Sequence, residues 1–296
     1  METCLVMGGT GLIGSHLIQA LSCDYEVYVL SRSFDRDDSN HQIHFIHGDL
    51  RSLNWMDVLP EKVDFVIHLA QSQHYKAFPD EMEDIVDINI QSLLQSLDYA
   101  RKVQVKAFVY ASSGGIYGFG DTPFREDAPL YLRDDLGFYL SGKMCAEILA
   151  QNYSAFMPVM ALRFFFVYGK GQRRQMFLPR IVDNVLEERP IFLDGEMGMS
   201  CNPIHVADAV RAIRQALLLR TSEVMNIAGP EVIALREMGE IIGRKTSALP
   251  LFDVKIDVKP KSLIADIDKM TRLLGAPTIR FEDGIHSLLP VSELVI

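Results

Sequence analysis

Tyr139 and Lys143 stand four positions apart in "YLSGKMCAE" (139–147), a stretch that otherwise reads as helix. On a helix such a pair shares one face. A phenol titrates near about 10 and is a poor base at neutral pH, but a neighbouring ammonium favours its ionised form. The two side chains therefore suit proton movement to or from a hydroxyl or carbonyl oxygen. A hydroxyl donor to hold that oxygen is offered by Ser112 and Ser113 in "VYASSGGIYG". A structural account competes with this one: Lys143 pairs with Glu147 on an exposed helix face and Tyr139 packs in the core.

These residues need elements to position them. Short apolar runs at 4–7, 25–31, 43–47, 63–70, 105–112 and 158–169 read as strands, and 11–22, 80–102 and 137–156 carry helical patterns between them. Strands that are nearly continuous apolar runs, separated by helices, imply a parallel sheet covered on both faces. The expected fold class is α/β, a doubly wound parallel (Rossmann) sheet with a smaller C-terminal α/β substrate domain. After about 169 the texture changes to a Gly, Arg and Gln-rich loop, a helix near 176–188, "IFLDG", and mixed short elements. The expected organisation is a dinucleotide-binding domain over 1–168 with a return segment near 202–228. Residues 169–201 and 229–296 then form the substrate-binding domain.

At the first strand-to-helix junction, "CLVMGGTGLIGSHL" sets out Gly8, Gly11 and Gly14. Each glycine has a use: a sharp turn, an approach of backbone N–H groups to a pyrophosphate without a Cβ in the way, and close helix-to-sheet packing. The helix N-terminus then faces the phosphate charge. With a nicotinamide dinucleotide held there, the tyrosine can move a proton while the ring takes or gives a hydride. The second strand ends "VLSRS", with Ser31 and Arg32 and no acid until Asp35, which leans toward NADP over NAD. Asp49 in "HGDL" is placed either to meet the adenine amino group or to cap a helix.

Composition excludes several classes. The formal net charge is -10, against a nucleic-acid or anionic-membrane partner. The four cysteines lack C-x-x-C spacing, so no zinc site or disulfide framework is expected, and a reducing cytoplasm fits. His44 and His47, three apart on a strand, point to opposite faces, and no metal site is expected. No apolar run approaches the roughly 18 residues that span a bilayer.

Taken in order, "MGGTGLIGSHL", "GDL", "VIHLA", "FVYASSGGIYG", "REDAPL", "YLSGK", "LRFFFVYG", "PIHVADA" and "NIAGPEVIALREM" resemble the extended short-chain dehydrogenase/reductase family, NAD-dependent epimerase/dehydratase type. The resemblance implies that Ser113 orients the substrate, Tyr139 is the acid/base, and Lys143 holds the nicotinamide ribose and depresses the tyrosine pKa. It places Gly8, Gly11, Leu12, Ile13, Arg32, Asp49, Leu50, Leu69, Ala70 and Asn89 against the dinucleotide. The implied substrate is a small molecule, a nucleotide sugar, acted on by epimerisation or reduction, and the implied assembly is a homodimer through the helices at 80–102 and 137–156. Three departures qualify it. Gly114 and Gly115 replace the Asp-Glu pair of the dehydratases, which argues against 4,6-dehydration. Phe166 stands where the family often has Asn, on the substrate side. Ser200, Cys201 and Asn202 occupy the region of an arginine that holds the diphosphate, leaving Arg173 and Arg174 to supply that charge. An NADPH-dependent ketoreductase of a non-nucleotide substrate and a non-catalytic dinucleotide sensor remain as alternatives.

Overall fold

The computed structural model describes residues 1–33, 40–52, 54–131 and 136–290. Asp35 lies outside the described residues. Strands β1 (Glu2–Met7), β2 (Tyr25–Ser31), β3 (Ile43–His47), β4 (Phe65–His68), β5 (Ala107–Ser113) and β6 (Val159–Phe164) form where the apolar runs predict them, with α-helices between β1 and β2, β4 and β5, and β5 and β6. With the strand Glu223–Ile227 beside β6 they make one seven-stranded sheet, its other strands in the order β3-β2-β1-β4-β5-β6. The pairs β2–β3, β1–β2, β1–β4 and β4–β5 are parallel. β4, β6 and nearly all of β5 are buried along their whole length, because helices cover both faces and leave no side of these strands to water.

Helix α1 (Leu12–Leu21) buries Leu17, Ile18 and Leu21. The expected helix over 80–102 forms as α2 (Met82–Val86), a π-helical turn at Asp87–Gln91 and α3 (Ser92–Lys102). The turn widens the helix by one residue per bond, a local feature that apolar spacing does not report. Helix α4 (Gly137–Asn152) buries Lys143, Met144, Ala146, Glu147 and Ala150, one face spaced by three and four residues that mixes apolar and charged groups.

The chain divides into two compact units. The first comprises 1–116, 130–163 and 210–225; the second comprises 117–129, 164–209 and 226–296. The boundary expected at 168 thus falls near 163, the return segment narrows to 210–225, and 117–129 joins the second unit. Backbone pairing explains the last point: Gly120 N donates to Ser262 O at 2.9 Å, Phe124 N to Ile264 O at 2.8 Å and Asp266 N to Phe124 O at 2.8 Å. In the second unit, α5 (Phe177–Leu186) turns Leu178, Ile181, Val182 and Val185 toward a core with Ile191 and Leu193 of β7 (Ile191–Asp194). Met238 and Ile242, from the helix Leu235–Thr246, complete that core.

Candidate active site

The strand order reverses between β1 and β4, and ligands of open α/β sheets bind beyond the carboxyl ends of strands at such a switch point. The glycine turn leaves β1 there. Gly8 has φ +83, and a Cβ on it would lie 2.7 Å from Ala70 N and 2.8 Å from Leu69 C, so only glycine lets the turn press against the end of β4. A Cβ on Gly14 would collide with Gly8 O and Gly9 Cα, so the close contact at the third glycine is between the helix and the turn, in place of the expected helix-to-sheet packing. Gly11 is the N-cap of α1, with no side-chain cap and no acid in the first turn. The first-turn N–H groups and the positive helix end therefore suit an anion. Leu12, Ile13, Leu50 and Leu69 are half-buried and Ala70 is buried.

At the end of β2, Ser31 is buried and its hydroxyl donates to Ser33 O at 3.0 Å, while Arg32 is exposed. Asp49 does not cap a long helix. Its Oδ1 accepts from Arg51 N at 3.0 Å, and the Arg51 guanidinium reaches its Oδ2 at 2.6 Å. The side-chain hydrogen bond from Arg51 holds the Asp49 carboxyl below the usual carboxylate range. The π turn buries Asn89 to 1% exposure; its Oδ1 accepts from Ser72 N at 2.9 Å, and its Nδ2 has no partner among the described residues. A buried donor left over is costly unless something accepts from it. The glycine cradle, the uncapped helix end and this spare donor all fit a nicotinamide dinucleotide.

Ser113 ends β5, half-buried, and its Oγ accepts from Gly115 N at 3.1 Å. Tyr139 and Lys143 lie on α4, and neither part of the competing structural account holds. Lys143 is 3% exposed and donates from Nζ to Ala111 O at 2.8 Å, with the ring of Tyr110 centred 5.0 Å away. Burial pushes its ammonium down to about 8. Glu147 instead pairs with Arg163 of β6 at 2.5 Å, both buried, and accepts from Ser112 Oγ at 2.5 Å. Tyr139 is half-buried rather than in the core. Its hydroxyl donates to Gln71 Oε1 at 2.9 Å, and its ring meets that of Tyr75 at a 5.0 Å centroid separation.

The expected depression of the tyrosine pKa is a correction. In this structure burial raises the Tyr139 phenol, and the neighbouring Tyr75 raises it further. Burial thus outweighs the pairing that the spacing suggested, and the Lys143 ammonium donates to the Ala111 carbonyl. Beneath them His68, the last residue of β4, is fully buried against Ser92 Oγ at 3.1 Å, and burial followed by the Lys143 charge pushes it down to about 3. It is neutral across the physiological range.

Three other candidates belong to the second unit. Phe166 has φ +44 and packs on Phe177 at 5.3 Å between ring centroids. Arg173 is exposed. Arg174, expected to hold substrate, forks onto Asp183 and donates to Leu288 O at 2.9 Å, so its charge is already matched by a structural partner. Asn202, in the region of the missing arginine, clamps Ala265 with two backbone hydrogen bonds of 3.0 Å. Sequence reasoning missed Gln71, Tyr75 and Arg163. Gln71 and Tyr75 lie in an irregular segment with no periodicity, and Arg163 hides inside an apolar strand. Only Glu147 left a signal, by sharing the face of Lys143.

Fold and site together define a Rossmann-type enzyme built around a dinucleotide. Residues 4–228 match the model of the NAD dependent epimerase/dehydratase family, and the chain belongs to that family, as an enzyme of the extended short-chain dehydrogenase/reductase type. It is 31% identical to a UDP-glucuronate 4-epimerase of Thermodesulfobacterium geofontis over 95% of this chain and 88% of the relative. It is 29% identical to an uncharacterized UDP-glucose epimerase of Bacillus subtilis over 95% of both chains. Among solved structures, the UDP-glucuronic acid 4-epimerase of Bacillus cereus in complex with UDP-glucuronic acid and NAD superposes with a TM-score of 0.84, at 25% identity over 97% of both chains. MoeE5 in complex with UDP-glucuronic acid and NAD gives 0.81 at 28% identity, again over 97% of both.

Proposed function

We propose that this protein is an epimerase of a uridine-diphosphate sugar, with Tyr139 as the acid/base, Ser113 orienting the reacting oxygen and Lys143 holding the nicotinamide ribose. The observation that carries the reading is the Tyr139, Lys143 and Ser113 set on α4 and β5, in a chain whose relatives and structural neighbours are named for UDP-sugar epimerases and their NAD complexes. NAD bound at the glycine turn supplies a hydride acceptor that returns what it takes. As the phenolate, Tyr139 accepts the proton of a sugar hydroxyl while its carbon becomes a carbonyl, and gives the proton back when the carbonyl is reduced. Ser113 Oγ, free to donate while it accepts from Gly115, holds the same oxygen. Gly114 and Gly115 leave no acid/base pair beside Ser113 for removal of water, which supports epimerisation over dehydration. Arg173 offers an exposed cation for the diphosphate.

One observation favours a second reading. Arg32 follows β2 with Ser31 and Ser33 beside it, and an exposed guanidinium at this strand end suits the 2′-phosphate of NADP and hence net ketone reduction, with Asp49 the acid near enough to feel its charge. The reading also carries a homodimer and a cytoplasmic setting. Ile148 and Leu149, exposed on α4, support the first, and free thiols at all four cysteines support the second.

The test is a panel of UDP sugars given to the purified protein with NAD or NADPH. Epimerisation predicts isomer formation with no net change in cofactor, lost by about a hundredfold or more in Tyr139→Phe with dinucleotide affinity retained. Stoichiometric oxidation of NADPH would replace this reading with the reductase, and full turnover in Tyr139→Phe would remove the phenol from the chemistry.

A further inference from the structure

We propose that Gln71 is a positioning residue for Tyr139: its carboxamide oxygen, 2.9 Å from the phenol oxygen, holds the phenol as a proton donor until a substrate oxygen takes its place. The inference rests on the reading of Tyr139 as the acid/base and adds a residue that determines which protonation state waits for the substrate.

Gln71 is the third residue after β4, beyond Leu69 and Ala70, where the glycine turn presses on the chain. That contact fixes where the segment leaves the sheet, and the segment then carries Gln71 and Tyr75 to the same phenol. A carboxamide presents an acceptor on one side and two donors on the other. Here the acceptor faces the hydroxyl. An acceptor stabilises the neutral phenol and has nothing to offer the phenolate, so the contact favours the protonated form. The charged and titratable groups around Tyr139 among the described residues do not reverse this. Tyr75 raises the phenol, Tyr110 of β5 feels the phenolate as a like charge, and Lys143 spends a donor on Ala111 O. Burial acts in the same direction as the hydrogen bond. Gln71 itself is exposed, so the carboxamide can be displaced without opening the core.

The consequence is an order of events at the phenol. A ketone oxygen finds a donor ready. A hydroxyl can use the phenol as its base only after the Gln71 oxygen has moved away and the phenolic proton has passed to solvent, which reaches the exposed Gln71.

The experiment reads the phenol directly and needs neither substrate nor cofactor. Difluorotyrosine is installed in place of Tyr139, because its lower intrinsic pKa brings the titration into a range where the chain stays folded, and the phenolate absorbance is followed against pH. Gln71→Ala should lower the midpoint by roughly one pH unit, the size of one lost hydrogen bond. Gln71→Glu, which keeps an oxygen in place and cannot donate, should raise it. Midpoints that do not move, or that move the same way in both variants, overturn the assignment; so does a rise in Gln71→Ala, which would make the carboxamide a donor to the phenolate. The outcome is separable from that of the functional reading. Opposite shifts in the two variants together with full turnover in Tyr139→Phe would keep the contact and discard Tyr139 as the acid/base. Absent shifts together with lost turnover in Tyr139→Phe would do the reverse.

Discussion

Lys143 shows what the site costs the fold. Its ammonium is buried and its pKa falls from 10.5 to about 8, so the folded state releases this proton before the unfolded state does. Between about pH 8 and 10.5 the unfolded chain binds more protons at this group, and stability rises with pH across that window. Below it the folded state carries the full penalty, up to about 3 kcal/mol by the size of the shift. Lys143→Met, similar in volume and uncharged, should therefore raise the urea midpoint most at pH 6 and progressively less toward pH 10, while turnover is lost. A gain that does not depend on pH would show that something other than the buried charge is responsible. Under the proposed function, that gain is what placing a lysine for chemistry rather than for packing costs the fold.

At the scale of elements, the buried Glu147–Arg163 pair is the clamp that sets α4 against the sheet. Ser112 of β5 and Arg163 of β6 converge on one carboxylate, one turn beyond Lys143. That fixes the rotation of the helix that carries Tyr139 and Lys143. Removing one partner leaves a buried charge alone, so Arg163→Met should cost about 3–5 kcal/mol in chemical denaturation. Adding Glu147→Leu should restore most of that loss, because the stranded carboxylate goes with it. A double variant as unstable as the single one would mean that the pair acts through packing. The helix pattern of 137–156 is legible in the sequence, but the partner of Glu147 is not. Four residues upstream, Lys143 is the obvious ion-pair partner, and only the packing of β6 beneath α4 brings Arg163 closer.

For the whole molecule, the open question is what covers α4. Ile148 is 54% and Leu149 38% exposed, on the same helix that buries Lys143 and Glu147 on its inner face. A homodimer through this surface predicts a sedimenting species of twice the 33.4 kDa chain mass, reduced to monomer by Ile148→Asp. Wild-type protein that sediments as a monomer at micromolar concentration would leave these side chains as isolated surface residues. No helix among the described residues is long and apolar enough to cross a membrane.

The sequence by itself determined the alternation of strands and helices, the glycine turn and the order of Ser113, Tyr139 and Lys143. Periodicity and turn chemistry are local, and each of these features is written in a few neighbouring residues. Tertiary structure decided the rest. It gave Glu147 to Arg163, Arg174 to Asp183, and 117–129 to the second unit, and it turned Tyr139 toward Gln71. It also reversed the direction of the phenol's pKa, because burial outweighs the spacing that suggested the pair. Those choices depend on which groups meet after the chain has folded, and residues 68 positions apart, such as Gln71 and Tyr139, carry no mark of each other along the chain.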